Sequence, residues 1–463
     1  IIPLDQRDPF VTCELINKLI ELDLEVFQAE ERFRADGLEY PQGTYILPTS
    51  QPFGRFLKTL FEIQVYPDLR RIPSLWQSIV EPMELKIPPL RTYDVLGWTL
   101  PLQMGVKAVT MNSPLEIKMK KTEKASPPKG RVSGSGNKYY LIPYETDASV
   151  IAANRLLKSG AEVFWAKNNF NIEGKPFLPG TLIVSCSSFP EKNMLLLASE
   201  LSLQVSRINK IPQAKLDPLR LPRIALYQPW TANMDEGWTE LVLENHEFPF
   251  TVVHNAEIKA GSLEDRFDVL VFADQSPGSI INGHSKGTMP APYVDGIGTS
   301  GLINLRRFVQ NSGTLVMLGS SSDLAIEKFD LPLKNVIKAL KPEEFFASGL
   351  LVRVTFDQNH PLAYGMAQEA AGFFAQSPVF QVYPSSDEKN EPKIAGKYPE
   401  ENIVLSGWML GEEYLKNKAA VLEVPFGKGK IILLGFKVQH RGQTVGTFKL
   451  LLNSLFYGAL KQK

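Results

Sequence analysis

Apolar residues recur along the first fifty positions at two different spacings. Leu15, Leu19 and Leu22 fall three and four apart, which puts their side chains on one face of a helix. Glu25-Val26-Phe27 then predicts a short apolar strand, and Gly43-Thr44 followed by alternating apolar residues predicts another. The same order returns further on, with Ala153, Leu156 and Leu157 at helical spacing before Glu162-Val163-Phe164. Asn17 with Asn154, Val26 with Val163 and Gly43 with Gly180 share one offset of 137 residues. The openings Ile1-Ile2-Pro3 and Leu141-Ile142-Pro143 correspond once a three-residue shift is allowed. The pattern predicts two copies of one α/β unit, reading strand, helix, strand, loop, strand. Because the copies share mainly core positions and differ in their polar residues, a structural duplication explains them better than a doubled active site.

Between the copies, residues 92–106 read as a helix packed by Val95, Leu96, Trp98 and Leu102 and interrupted by Pro101. Residues 118–138 are basic, then rich in Pro, Gly and Ser, which is linker composition. The division expected is therefore 1–117 for the first repeat with its helical connector, 118–138 for a linker, and 139–215 for the second repeat.

From Arg223 the pattern changes. Apolar runs at 223–227, 250–254, 268–273 and 313–319 alternate with predicted helices at 234–244 and 299–310. Continuous apolar strands suit a parallel sheet covered on both faces, so residues 216–463 read as a doubly wound α/β domain. A β-rich insertion is expected at about 331–418, followed by a hairpin turning at Phe426-Gly427-Lys428-Gly429 and a last helix over 447–460.

Composition changes little. The chain has 463 residues, enough for two or three domains, with 44% hydrophobic and 22% charged residues. Acids and bases number 50 each, so no charge excess steers it to nucleic acid. Its two cysteines, Cys13 and Cys186, provide neither a disulfide framework nor a Cys-rich zinc site. No run of about 18 apolar residues predicts a membrane span, and no targeting signal is visible. A first residue other than Met, already inside a predicted strand, reads as the start of a piece of a longer protein.

Ligands of open α/β sheets sit beyond the C-terminal strand ends. Here those ends are 228–238, 274–283 and 319–323. Leu318-Gly319-Ser320-Ser321-Ser322-Asp323 runs from a strand into a predicted helix, the place of a nucleophile elbow. Ser320 or Ser321 is the candidate nucleophile and His440, in the segment after the hairpin, the candidate base; helix capping by the serines is the competing account. Trp230, Asp235 and Glu236 put an aromatic beside carboxylates, as sugar or peptide contacts do, while Asn233 or Thr231 caps the helix. His284, Tyr293 and Asp295 lie in a Gly/Pro-dense loop at the same edge, where Gly296-Ile297-Gly298 offers backbone N–H groups to an anion.

Two resemblances rest on these residues. The C-terminal domain resembles the class I glutamine amidotransferase fold, with Ser320 standing where that family carries a cysteine and Gln439-His440-Arg441 where its His-Pro-Glu follows. More broadly, the stretches 40–70, 92–106, 223–244, 267–275, 313–326, 359–366 and 435–455 resemble the C-terminal extension of large bacterial proteins of the zinc carboxypeptidase (carboxypeptidase A-like) family. That resemblance implies a parent with an exported, N-terminal zinc peptidase domain outside this chain, where the zinc would sit. It makes this chain an accessory region whose partners are that domain and a peptide or glycan. His254-Asn255-Ala256-Glu257 with His360 matches the family's zinc ligands by letter alone. His254 ends a predicted strand and His360 lies in the insertion, so no metal is expected here.

Overall fold

The computed structural model describes residues 1–67, 95–211, 213–384 and 390–460. The duplication is present in three dimensions. In the first unit Ile2 bridges to Tyr45, the helix Pro9–Glu21 follows, and the strand Phe27–Ala29 pairs with Tyr45–Ile46. In the second, Tyr139–Ile142 and Val163–Ala166 flank Leu182–Ser185, with the helix Ala148–Lys158 between them. Each unit carries a small hairpin, Phe33–Ala35 with Leu38–Tyr40 and Phe170–Ile172 with Lys175–Phe177. Both hairpins turn through an acid and a glycine at positive φ, Asp36-Gly37 and Glu173-Gly174, the backbone that matches the strand twist of a two-residue turn. Across them, Phe33 stacks on Tyr40 at 5.1 Å and Phe170 on Phe177 at 5.2 Å. The repeated asparagines both act as fasteners. Asn17 exchanges two hydrogen bonds with the backbone of Ala125, and Asn154 donates to His246 O.

The connector differs from the helix expected over 92–106. Residues 92–94 lie outside the described residues, and the helix spans Leu100–Met104. Pro101 opens that helix instead of interrupting it, because the first turn needs no N–H donor. Within 118–138, Met119–Lys121 pairs with Phe27–Ala29, and Arg131–Ser133 pairs in parallel with Gln204–Ile208. Those residues thus give each unit's sheet an edge strand, as extended, Lys-rich chain can when only one side is paired.

The C-terminal half is a doubly wound sheet. Its parallel strands are β1 (Ile224–Tyr227), β2 (Phe250–Val253), β3 (Val269–Phe272), β4 (Thr314–Leu318) and β5 (Gly429–Leu434), in the order β2-β1-β3-β4-β5. This is the flavodoxin-like order, so the chain is α/β. The pleat sends Val269 and Val271 of β3 to one core and Leu270 and Phe272 to the other. On the first face lie the helices α1 (Met234–Asn245) and α3 (Val445–Ala459); on the second lies α2 (Gly298–Gln310). β5 also turns back through Gly427, at φ +62°, to pair with Ala419–Phe426. That hairpin carries the β-rich insertion, including Leu350–Phe356 and Glu369–Phe374, on the same sheet.

Buried seams join the parts. Trp165 of the second unit, fully buried, meets Tyr144, Tyr364 and Phe456 edge-on. Asp147 shares a hydrogen bond with His246 Nε2 at 2.6 Å, beside Asp8 and the buried Lys449. The first unit is clasped to the insertion by a buried polar knot. Gln64 N donates to Ser406 Oγ at 3.0 Å, Thr99 Oγ1 lies 2.8 Å from the same hydroxyl, and Gly407 N donates to Gln64 O.

Candidate functional site

The C-terminal ends of β1, β3, β4 and β5 bring four segments together. β3 ends at Phe272, and Asp274 follows it. β4 runs into Gly319 at φ +54°, where an added Cβ would sit 2.4 Å from the Asp274 carboxyl carbon. Only glycine lets the chain pass there, and it leaves Ser320 N donating to Asp274 Oδ1 at 2.9 Å. From the segment after β5, Lys437 Nζ reaches Asp274 Oδ2 at 2.9 Å and Asp235 Oδ2 at 2.8 Å. Asp235 stands in the first turn of α1, which Asn233 caps by accepting from Asp235 N and Glu236 N. Gln439 Nε2 closes the group on Thr239 Oγ1. The centre of the site is therefore an Asp–Lys–Asp cluster. Burial pulls the Lys437 ammonium down, but Asp274 and Asp235 outweigh it and hold the group above the ordinary lysine range.

Two of the three elbow serines have their hydroxyls occupied. Ser321 Oγ, fully buried, donates to Leu318 O at 2.8 Å and lies 3.2 Å from Phe272 O; Ser322 Oγ donates to Met317 O. Ser320 is half-buried and gives its N–H to Asp274. Among the described residues no hydrogen bond joins His440 to them. Its ring lies flat on Phe373 of the insertion, 3.6 Å between centroids and 7° between planes. Burial, with Lys437 and Arg441 beside it, pushes His440 down to about 3, so it stays neutral at physiological pH.

The aromatic side of the edge gathers around Trp230. Trp230 stacks on His254 at 4.0 Å and meets Tyr293 edge-on at 4.7 Å, while His284 Nε2 lies 3.1 Å from Trp230 O. Asp295 serves through its backbone, its carbonyl accepting from Asn255 Nδ2. Glu236 is buried, with Oε2 accepting from Gln228 Nε2 and Oε1 without a hydrogen bond. Burial lifts its carboxyl above the ordinary range, the Gln228 amide holding it back. In the Gly296–Gly298 segment the middle N–H is taken up, Ile297 N donating to Ile280 O at 2.9 Å. His254 and Glu257 make a local helix start, His254 N donating to Glu257 Oε2, and His360 accepts from Leu362 N. Among the described residues no group of three or more His, Cys, Asp or Glu side chains converges to hold a metal.

Lys437 and Asp274 are absent from the candidates that the sequence suggests. The signal is there, since both follow strand ends at the edge that flags Ser320.

No family model matches the chain, and no curated protein matches it. Solved structures do, at low identity. A ThuA-like protein from Bacteroides uniformis ATCC 8492 is 10% identical over 51% of this chain and 90% of its own, with a TM-score of 0.30. A cytoplasmic protein from Salmonella typhimurium is 12% identical over 52% of this chain and 100% of its own, with a TM-score of 0.33. A GMP synthase protein from Thermoplasma acidophilum is 9% identical over 50% of this chain and 94% of its own, with a TM-score of 0.31. The α/β assignment rests on the strand order itself.

Proposed function

We propose that the chain is a non-catalytic accessory region that stabilises a peptidase partner or recruits its peptide substrate. The observation that carries the non-catalytic part is the state of the elbow. A serine nucleophile needs a base on its hydroxyl and free N–H donors for the oxyanion. Here the Ser321 and Ser322 hydroxyls are spent on carbonyls, Ser320 N is spent on Asp274, and His440 lies on Phe373. The partner comes from the sequence resemblance: an exported zinc carboxypeptidase domain of the same parent protein, with the metal held there.

Two measurements test this. The purified chain is expected to resist labelling by a serine-reactive fluorophosphonate; labelling that disappears in Ser320→Ala would establish a hydrolase instead. It is also expected to lack carboxypeptidase activity. Activity abolished by a chelator would place a metal peptidase site in this chain and sink the accessory reading.

A further inference from the structure

A cleft of about 650 Å³ lies between the two N-terminal units, away from the sheet edge described above. That volume is in the range of sites that enclose a small ligand or a few residues of peptide. Its apolar walls include Phe10 at the start of the first unit's helix and Leu203 of the second unit. Arg7, Lys129 and Arg131 line it too, against one acid, Glu145. Lys129 and Arg131 are exposed and form no ion pair among the described residues, and Arg7 donates to the carbonyl of Gly365. The cleft therefore carries an excess of positive charge beside apolar surface.

The backbone adds a third feature. Among the described residues Arg131–Ser133 is the end strand of the six-stranded sheet and pairs with Gln204–Ser206 alone. Arg131 N donates to Leu203 O. Alternation along the strand thus turns the N–H and carbonyl of Val132 outward, away from the sheet.

An anion alone would satisfy the cations but not the backbone of Val132. A peptide ending in a free carboxylate satisfies both. We propose that this cleft seats the C-terminal end of an extended peptide, its carboxylate among Arg7, Lys129 and Arg131. The peptide backbone runs along Val132, and apolar side chains lie on Phe10 and Leu203. This is strand addition to a sheet edge, with the terminal charge setting the register. It locates the peptide-recruiting half of the accessory role and rests on that half of the reading, while the state of the serine elbow does not bear on it.

The test uses the full chain and fluorescence anisotropy. The probe is an N-terminally fluorescein-labelled hexapeptide of alternating leucine and alanine, as the free acid and as the C-terminal amide. The free acid is expected to bind, with amidation weakening it about tenfold or more, the loss of one charge-assisted contact. The double variant Lys129→Glu/Arg131→Glu is expected to weaken the acid by a similar factor with an unchanged circular-dichroism melt, both side chains being exposed. Val132→Pro, which removes the outward N–H and also alters a half-buried side chain, provides an independent arm, with a circular-dichroism melt to show that it folds, and weakens acid and amide alike. Leu196→Glu, on the exposed face of another helix, leaves binding unchanged. Equal binding of acid and amide, or a charge-reversed variant that binds like the wild type, would overturn the proposal, as would no binding by folded protein. Fluorophosphonate labelling would refute the non-catalytic reading and leave this one standing.

Discussion

Replacing Lys437 by methionine removes the cation from a cluster in which two carboxylates lie 2.8 and 2.9 Å from its Nζ. The side chains of Lys437, Asp235 and Asp274 are 16%, 22% and 13% exposed, so water screens the charges only in part. At an effective dielectric of about 20, unit charges about 3 Å apart attract by roughly 5–6 kcal/mol, most of which offsets desolvation. Breaking a buried ion pair by removing one partner costs about 3–5 kcal/mol. Here Asp274 keeps the Ser320 N–H and residual solvent reaches both acids, which brings the expected loss to about 2–3 kcal/mol. The assay is urea unfolding followed by tryptophan fluorescence and circular dichroism. Adding Asp274→Asn to Lys437→Met is expected to restore about 1 kcal/mol by removing the stranded charge. A loss below about 0.5 kcal/mol, or a second substitution that adds to the damage, would refute a cluster held by mutual neutralisation.

Two further predictions concern other polar sites. For the His246–Asp147 pair, burial lowers the imidazole but Asp147 outweighs it, leaving His246 raised; burial raises Asp147, but His246 outweighs it, leaving Asp147 lowered. The histidine's contribution is therefore complete below its ordinary value of about 6.5 and is lost as pH climbs through the raised native value, while the aspartate's is lost as pH falls below about 4. His246→Asn is expected to cost about 2–3 kcal/mol near pH 5.5, with the gap to wild type narrowing towards pH 8; a gap that stays constant or widens in chemical denaturation would count against the pairing. Gly319→Ala forces a side chain into φ +54° and within 2.4 Å of the Asp274 carboxyl carbon. It should cost about 2–4 kcal/mol, and a variant as stable as wild type would show that Asp274 moves aside freely.

Much of the architecture is legible in the sequence because it rests on local pattern. β3 and β4 are unbroken apolar runs, which only a sheet covered on both faces rewards, and α2 carries Leu305, Phe308 and Val309 at helical spacing. The duplication shows in the glycines, since Gly43 and Gly180 both need positive φ at corresponding turns. The candidate site is less legible. The contact of Lys437 with Asp235 spans 202 residues, and no spacing rule reaches that far. His440 resembles a base because it follows a late strand. Its direction is decided by Phe373, which belongs to the insertion and offers an aromatic face to a buried imidazole. Pro101 misleads for a simpler reason: proline either breaks a helix or begins one, and which of the two it does depends on where the helix starts.

The knot of Gln64, Thr99 and Ser406 has a consequence for the order in which the molecule is completed. Gln64 and Thr99 hold their polar groups for a serine made more than three hundred residues after them. Domains emerging from the ribosome fold as units when their contacts are at hand. The first unit can build its sheet and helix promptly, yet Gln64 and Thr99 lack their serine until the insertion has been translated and folded back. Fastening of the first unit thus waits on the insertion, and a stall between the two leaves a nascent unit with an unfastened polar edge.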